Sequence, residues 1–319
     1  MGSAGHNPFR ISMGSLVGVS VPMQRLYGTM QRANSHPFPV LIIGERGTGK
    51  ELVAKSIHSL SSRRQQSFVS LDCAELAPTF MEAELFGYEK DAFVGAPEPK
   101  AGLARIAAGG TLFLREIGAM PLKLQAKLFR SLEELQFSPV GSSEKFPLLA
   151  RVMASSRQDL GELVTSGAFR EDLFFRLSAL RIELTPLSAR RADIPLLASH
   201  FVEHYVAPKD PLPSISDSAM ECLLAYSWPG NVLELERAIR WGLSFATGPV
   251  IELDDLPPTV RSAMSSKLRD PAGRRSTLQI EYLAIIKALD ATGGNRAAAA
   301  NLLQMPESKL DSRLQTYGL

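Results

Sequence analysis

Short apolar runs alternate with helically spaced stretches through the first half of the chain. Residues 38–43 (FPVLII) are an almost unbroken apolar run that ends in glycine, the pattern of a strand buried on both faces. Residues 68–71, 110–114 (GTLFL) and 150–154 (ARVMA) repeat it. Between them, residues 51–59, 79–86 and 122–135 carry helical spacing. Strands alternating with helices predict a parallel α/β sheet. From about Arg191 to Phe245 the pattern turns wholly helical. Residues 261–275 (RSAMSSKLRDPAGRR) lose all periodicity and read as a small, polar, basic linker.

A last unit begins at Ser276. Ser276 and Gln279 fit a capping box, and Leu278, Tyr282, Ile285, Ile286 and Leu289 follow helical spacing. Gly293–Gly294 stops that helix, and Asn295 is placed to cap a second, with Leu302 and Leu303 on its apolar face. Pro306 opens a third, where proline is well tolerated. Two short helices joined by a tight turn outline a helix-turn-helix.

Composition narrows the class. Of 319 residues, 45% are hydrophobic, enough for a large core, and the formal net charge is +2, so any nucleic-acid surface must be local. Cys73 and Cys222 lack a metal-ligand spacing and read as buried thiols in a reducing compartment. No apolar run reaches the ~18 residues a membrane helix needs, and residues 1–13 resemble a flexible tail without a secretion signal. A cytoplasmic protein without a membrane partner is expected.

The clearest chemistry lies at Gly44, Glu45, Arg46, Gly47, Thr48, Gly49 and Lys50, the GxxxxGK spacing of a phosphate loop. It follows a predicted strand and opens a predicted helix. Glycines let backbone N–H groups face phosphate oxygens, the helix N-terminus adds positive potential, and Lys50 reaches the outer phosphates. The Ser/Thr common after the lysine is Glu51 here.

Five segments then carry a resemblance: GERGTGKE (44–51), ELFGYEKDAFVGA (84–96), GGTLFLREIG (109–118), FREDLFFRL (169–177) and WPGNVLELE (228–236). In this order and spacing the chain resembles sigma-54-dependent transcription activators over nearly its whole length. The resemblance implies a P-loop AAA+ parallel α/β sheet (14–188), a helical lid (189–260), the linker (261–275) and a small all-α Fis-like helix-turn-helix domain (276–319). It also implies ATP or ADP as ligand, promoter DNA and an RNA polymerase holoenzyme as partners, and assembly as a homo-oligomer from dimer to hexameric ring.

The departures from the family pattern cluster. Where relatives end the strand motif in Asp-Glu, this chain has Arg115–Glu116. A guanidinium repels Mg²⁺, so magnesium is doubtful although Glu116 stays as the candidate base. The family's sensor asparagine corresponds to Arg157, its lid arginine to Leu233, and the asparagine beside the catalytic glutamate to Asp72. Arg170 and Arg176 match arginines that the resemblance implies act on a neighbouring subunit's nucleotide, with surface pairing to Glu171 or Asp172 as the alternative. In the sigma-contact loop, Asp91, Ala92, Phe93, Val94, Gly95 and Ala96 replace GAFTGA, losing a flexible glycine and a hydroxyl. In the recognition helix Glu307 and Asp311 offset Lys309 and Arg313. Candidate DNA contacts are Arg296, Ser308, Lys309, Ser312 and Arg313, with Arg274 and Arg275 as backbone anchors.

Arg115, Arg157 and Lys50 are expected to neutralise phosphates without magnesium, so that the site binds a nucleotide or another phosphate-rich ligand such as a cyclic dinucleotide. Three functions follow: a DNA-bound regulator that binds nucleotide but hydrolyses it poorly, an active ATPase that remodels sigma-54 polymerase, or an idle subunit in a mixed ring with an active relative. The first fits the pattern of substitutions best.

Overall fold

The computed structural model describes residues 12–13, 16–93, 95–96, 98–208, 210–267, 285, 288–289, 292, 295–303 and 305–317. They divide into an α/β unit, mainly residues 26–184, and a helical unit, mainly 185 onward with residues 17–25.

The α/β unit is built on five parallel strands: β1 (Val40–Ile43), β2 (Phe68–Asp72), β3 (Thr111–Arg115), β4 (Arg151–Ser156) and β5 (Leu180–Glu183). Their spatial order is β5-β1-β4-β3-β2. The central strands are apolar runs because helices cover both faces of such a sheet. Leu41, Ile42, Phe113, Leu114, Met153 and Ala154 are fully buried, and each large side chain among them stabilises the fold by about 1.5–3 kcal/mol. The fourfold strand expectation is met within two residues. Val40 starts β1 after Pro39, which has no N–H to donate. The fifth strand, β5, escapes prediction because its sequence, LRIE, puts charges at an edge.

Helices α1 (Val21–Asn34, of which Leu26–Asn34 belong to this unit), α2 (Lys50–Leu60), α3 (Pro78–Phe86), α4 (Leu122–Glu134) and α5 (Glu171–Leu177) complete this half. Helix α1 was not expected, although Met23, Leu26, Tyr27, Met30 and Ala33 bury one face at helical spacing. Arg151 on β4 anchors its end. The guanidinium, 4% exposed, donates from Nη2 to Ala33 O at 2.7 Å and from Nε to Phe38 O at 3.2 Å. It thereby satisfies a carbonyl of the last helical turn at the negative end of the dipole. Burial, then the nearby Arg63 charge, lowers its pKa to about 10, still fully protonated at neutral pH.

In the helical unit, α6 (Ile194–Tyr205), α7 (Asp217–Ala225), α8 (Asn231–Phe245) and α9 (Pro258–Lys267) surround Leu197, Phe201, Leu223, Trp228 and Ile239. The expectation of a wholly helical stretch from Arg191 to Phe245 needs correction in its middle. Ser214–Ile215 pairs in parallel with Val250–Ile251, the latter beyond Phe245, a pairing too short to leave a period-two signal. The linker expectation is also corrected: α9 runs to Lys267, well into 261–275, started by Pro258 and held by buried Val260. Likewise Ser12–Met13, expected in a tail, is a two-residue strand. Cys73 and Cys222 are free, buried thiols. Among the described residues no helix is long and apolar enough to cross a membrane.

At the C-terminal end, α10 (Arg296–Leu302) and α11 (Glu307–Tyr317) pack through Ala299, Ala300, Leu310 and Leu314 against Ile285 and Ala288. Asn295 caps α10 as its sequence foretells, its Oδ1 accepting from the Ala298 amide at 3.0 Å. The capping box at Ser276 and Gln279, the Gly293–Gly294 stop, and Arg274 and Arg275 lie outside the described residues.

Replacing Arg151 by methionine leaves the buried Ala33 carbonyl and the part-buried Phe38 carbonyl without their charged donor. Urea denaturation is expected to show a loss of about 2–3 kcal/mol, and a loss below about 0.5 kcal/mol contradicts the anchoring role.

Candidate functional site: the phosphate loop and its ion pairs

The loop from Gly44 to Lys50 joins β1 to α2, as its spacing requires. Gly47 (φ 79°) and Gly49 (φ 101°) are left-handed, a region where a side chain is strained, and they turn the backbone into the helix start. Thr48 is buried, and its hydroxyl donates to Glu45 O at 2.9 Å, closing the loop on itself. Helix α2 is pressed onto the sheet by Val53, Ala54 and Ile57, so its positive N-terminal end is fixed at the loop.

Lys50 Nζ donates to Gly44 O at 2.7 Å and to Glu45 O at 3.2 Å, and lies 3.3 Å from Glu116 Oε1. Glu116 follows β3 in a left-handed conformation (φ 49°). Its second oxygen accepts from the Arg157 amide at 3.0 Å. The candidate base is therefore held between the loop lysine and the residue that follows β4.

Arg115 ends β3 directly opposite Asp72 in the strand register. Its Nη2 is 3.1 Å from Asp72 Oδ2 and its Nη1 3.7 Å from Glu51 Oε2. Asp72 also accepts from the Ala74 amide at 2.9 Å, and Glu51 pairs with Lys55 at 2.7 Å. Arg115 is thus partly exposed but not a bare cation. Two carboxylates of its own chain already hold it, and this refines the expectation of an uncompensated cationic site. The charges of Asp72 and Arg115 compensate each other. Beside them, burial, then the charges of Asp72 and Glu116, push the Cys73 thiol up to about 12, which keeps it neutral. The Arg157 side chain is exposed, and among the described residues no ion pair engages it.

Arg170 and Arg176 bracket α5. Arg170 makes a bidentate pair with Asp172 (2.7 and 3.0 Å), which holds that carboxyl below its usual range. Arg176 lies 3.1 Å from Glu133 and donates to Leu132 O at 2.9 Å. Buried Gln125 sets the position of the Arg170 backbone, accepting from its amide at 2.8 Å. Sequence spacing gave no sign of Gln125.

The stretch Asp91–Ala96 lies between two short antiparallel strands, Gly87–Tyr88 and Lys100–Ala101. Asp91 adopts φ 61°, the conformation glycine would take without strain, and its amide donates to Ala96 O at 2.8 Å. The Phe93 ring packs edge-on to Tyr88 at 4.9 Å. Ala92 and Gly95 complete the turn, and Val94 lies outside the described residues. In the helical unit Leu233 is half-buried on α8.

On the helix-turn-helix, Leu310 and Leu314 face inward, so Glu307, Ser308, Lys309, Asp311 and Ser312 lie exposed along α11 while Arg313 is half-buried. Arg296, at the start of α10, is 3.2 Å from Asp311. Asp311 thus occupies one of the candidate DNA-contacting cations.

The pairing of Arg115 with Asp72 is expected to contribute only modestly to stability, since the arginine is 39% exposed and screened. A double-mutant cycle with Arg115→Ala and Asp72→Ala should give a coupling of about 0.5–1 kcal/mol that shrinks in 1 M NaCl. Zero coupling at low salt contradicts the pairing.

Comparison with known proteins agrees with this layout. Residues 16–183 match the sigma-54 interaction domain, 188–272 an AAA+ ATPase lid domain, and 279–317 the Fis family of bacterial regulatory proteins. Regulatory protein AtoC of Escherichia coli (strain K12) is 41% identical over 288 residues, 88% of this chain but 62% of AtoC. Transcriptional regulatory protein ZraR of Salmonella typhi is 38% identical over 300 residues, 94% of this chain and 68% of ZraR. The chain thus spans less than two thirds of AtoC. Among solved structures, NtrX from Brucella abortus in complex with ADP superposes with a TM-score of 0.72 at 33% identity, covering 95% of this chain and 70% of NtrX. NtrX in complex with ATP gives 0.70 at 34% identity, covering 96% and 70%.

Proposed function

The chain belongs to the family of sigma-54-dependent transcription activators, and from that premise we propose that it is a cytoplasmic, DNA-binding transcription regulator that binds ATP or ADP and hydrolyses it poorly. The observation that carries this reading is the placement of Arg115. Phosphoryl transfer by P-loop proteins needs Mg²⁺ held by the residue after the loop lysine and by a strand-end aspartate. Here those positions are Glu51 and Arg115, and they face each other as an ion pair. Magnesium does not fit beside a guanidinium in contact with both carboxylates that could have ligated it. The loop itself is intact, since its shape depends on Gly47, Gly49 and the α2 terminus and not on a metal. Adenine nucleotides are favoured over a cyclic dinucleotide because the NtrX structures hold ADP and ATP.

Binding to promoter DNA is assigned to α10 and α11, with Ser308, Lys309 and Ser312 on the exposed face and Arg296 and Arg313 flanking it. The paired Arg296 and the acidic Glu307 and Asp311 weaken the phosphate attraction that dominates such binding. Contact with an RNA polymerase holoenzyme is assigned to Asp91–Ala96, whose altered residues argue against ordinary remodelling. Oligomerisation would bring Arg170 and Arg176 to a neighbour's nucleotide only if Asp172 and Glu133 release them.

One sample serves to test both halves. The protein is expected to shift a promoter fragment in a mobility assay while releasing no phosphate above background. Arg115→Asp alone gathers Glu51, Asp72, Asp and Glu116 around one lysine and should stay inactive. Arg115→Asp with Asp72→Asn relieves that crowding and should gain Mg²⁺-dependent hydrolysis. Steady turnover by the unaltered protein overturns the reading.

The recognition helix gives a separate expectation. Asp311→Ala removes an acidic group and releases Arg296, so DNA affinity at low salt should rise about 3–10-fold with a steeper salt dependence. Unchanged affinity and slope would remove α11 from the DNA contact.

A further inference from the structure

We infer that the phosphate loop takes its nucleotide as the free polyphosphate, without a divalent cation, and that Arg115 supplies the charge such a cation would bring. This rests on the reading of the loop as a nucleotide site and goes beyond the loss of hydrolysis, since poor catalysis alone leaves Mg²⁺-nucleotide binding intact.

Three observations carry it. The first is the position of the guanidinium. Arg115 lies 3.7 Å from Glu51, the residue next to Lys50, so its charge stands at the foot of the loop. The second is the state of the carboxylates. Asp72 and Glu51 hold Nη2 and Nη1, and Glu116 is held by Lys50 and the Arg157 amide. Each acidic oxygen able to receive a metal ion there is already turned toward a positive group. The third is the supply of further cationic groups. Arg157 presents an exposed guanidinium after β4, the strand next to β3, and the Lys50 ammonium sits on loop carbonyls that a phosphate oxygen can replace.

The chemistry suits the exchange. A guanidinium has five N–H donors in a planar fork and binds phosphate in the same bidentate manner as carboxylate. Arg115 spends one nitrogen on each carboxylate and keeps 39% of its side-chain surface accessible. A polyphosphate carrying more charge than either carboxylate can draw the fork across without unfolding anything. Mg²⁺ bound to the same phosphates would be repelled by the guanidinium, so the uncomplexed anion is the preferred form.

Calorimetric titration of ATP, and separately ADP, into the full chain tests this in two buffers, one with EDTA and one with excess Mg²⁺. The unaltered protein is expected to bind at least as tightly in EDTA as in Mg²⁺. Arg115→Ala should weaken binding in EDTA by about tenfold and make it tighter on adding Mg²⁺. Arg115→Asp with Asp72→Asn should reverse the buffer preference altogether. Binding by the unaltered protein that appears only with Mg²⁺ overturns the inference and leaves nucleotide binding standing. Equal affinity of Arg115→Ala and the unaltered protein in EDTA also overturns it. No heat with either nucleotide in either buffer overturns the nucleotide reading itself, and this inference with it.

Discussion

The contact of Arg115 with Asp72 and Glu51 decides what the rest of the α/β unit can do. The guanidinium ends β3, one carboxylate ends β2 and the other opens α2, so three elements meet in one electrostatic group. A single reversed charge at a metal-holding position would have left a cation among cations and P-loop dipoles. Compensation by Asp72 removes that conflict, and the sheet keeps its register around it. The loop, its helix and the end of β2 therefore stay joined around this exchanged charge.

A second group repeats the motif. Lys50 and Glu116 neutralise each other beside the loop, Arg170 is clasped by Asp172, and Arg176 lies against Glu133. Even on the helix-turn-helix, Arg296 is met by Asp311. Several charges that a binding protein turns toward phosphate are here met by carboxylates of the same chain, Arg157 excepted among those at the loop. Exposed pairs of this kind are individually weak, so a polyanion can displace them. They set a threshold that a ligand must exceed, and they make the outcome sensitive to salt.

Much of this was legible from residues alone. The apolar runs of β1, β3 and β4 needed no help from tertiary structure, because a strand buried on both faces has few ways to be written, and the part-buried edge strand β2 still shows as the short run FVSL. The phosphate loop declared itself by glycine spacing, lysine and context, and Asn295 by its place before α10. What stayed hidden depends on neighbours far apart in sequence. That Asp72 stands opposite Arg115 is a matter of register between β2 and β3, and no local pattern encodes it. Edge strand β5 was hidden by its charges, and α9 by the polar small residues that made 261–275 look like a linker. Helix α1 is a different case: Met23, Leu26, Met30 and Ala33 carry the signal plainly enough. The anchoring of α1 by Arg151 could not be foreseen, since a buried arginine donating to carbonyls leaves the same trace in sequence as an exposed one.

The account's central claim is that a guanidinium, and no divalent ion, accompanies the nucleotide phosphates. Electron paramagnetic resonance of Mn²⁺ added with ATP reads that directly, because manganese can stand in for magnesium and its spectrum broadens when it is immobilised on a protein. The predicted spectrum with the protein present holds only Mn²⁺ in solution, moving from its ATP complex toward the free ion as protein withdraws ATP, with no broadened component. A broadened, protein-bound signal that grows in proportion to protein concentration, and vanishes when Lys50 is replaced by alanine, would contradict it.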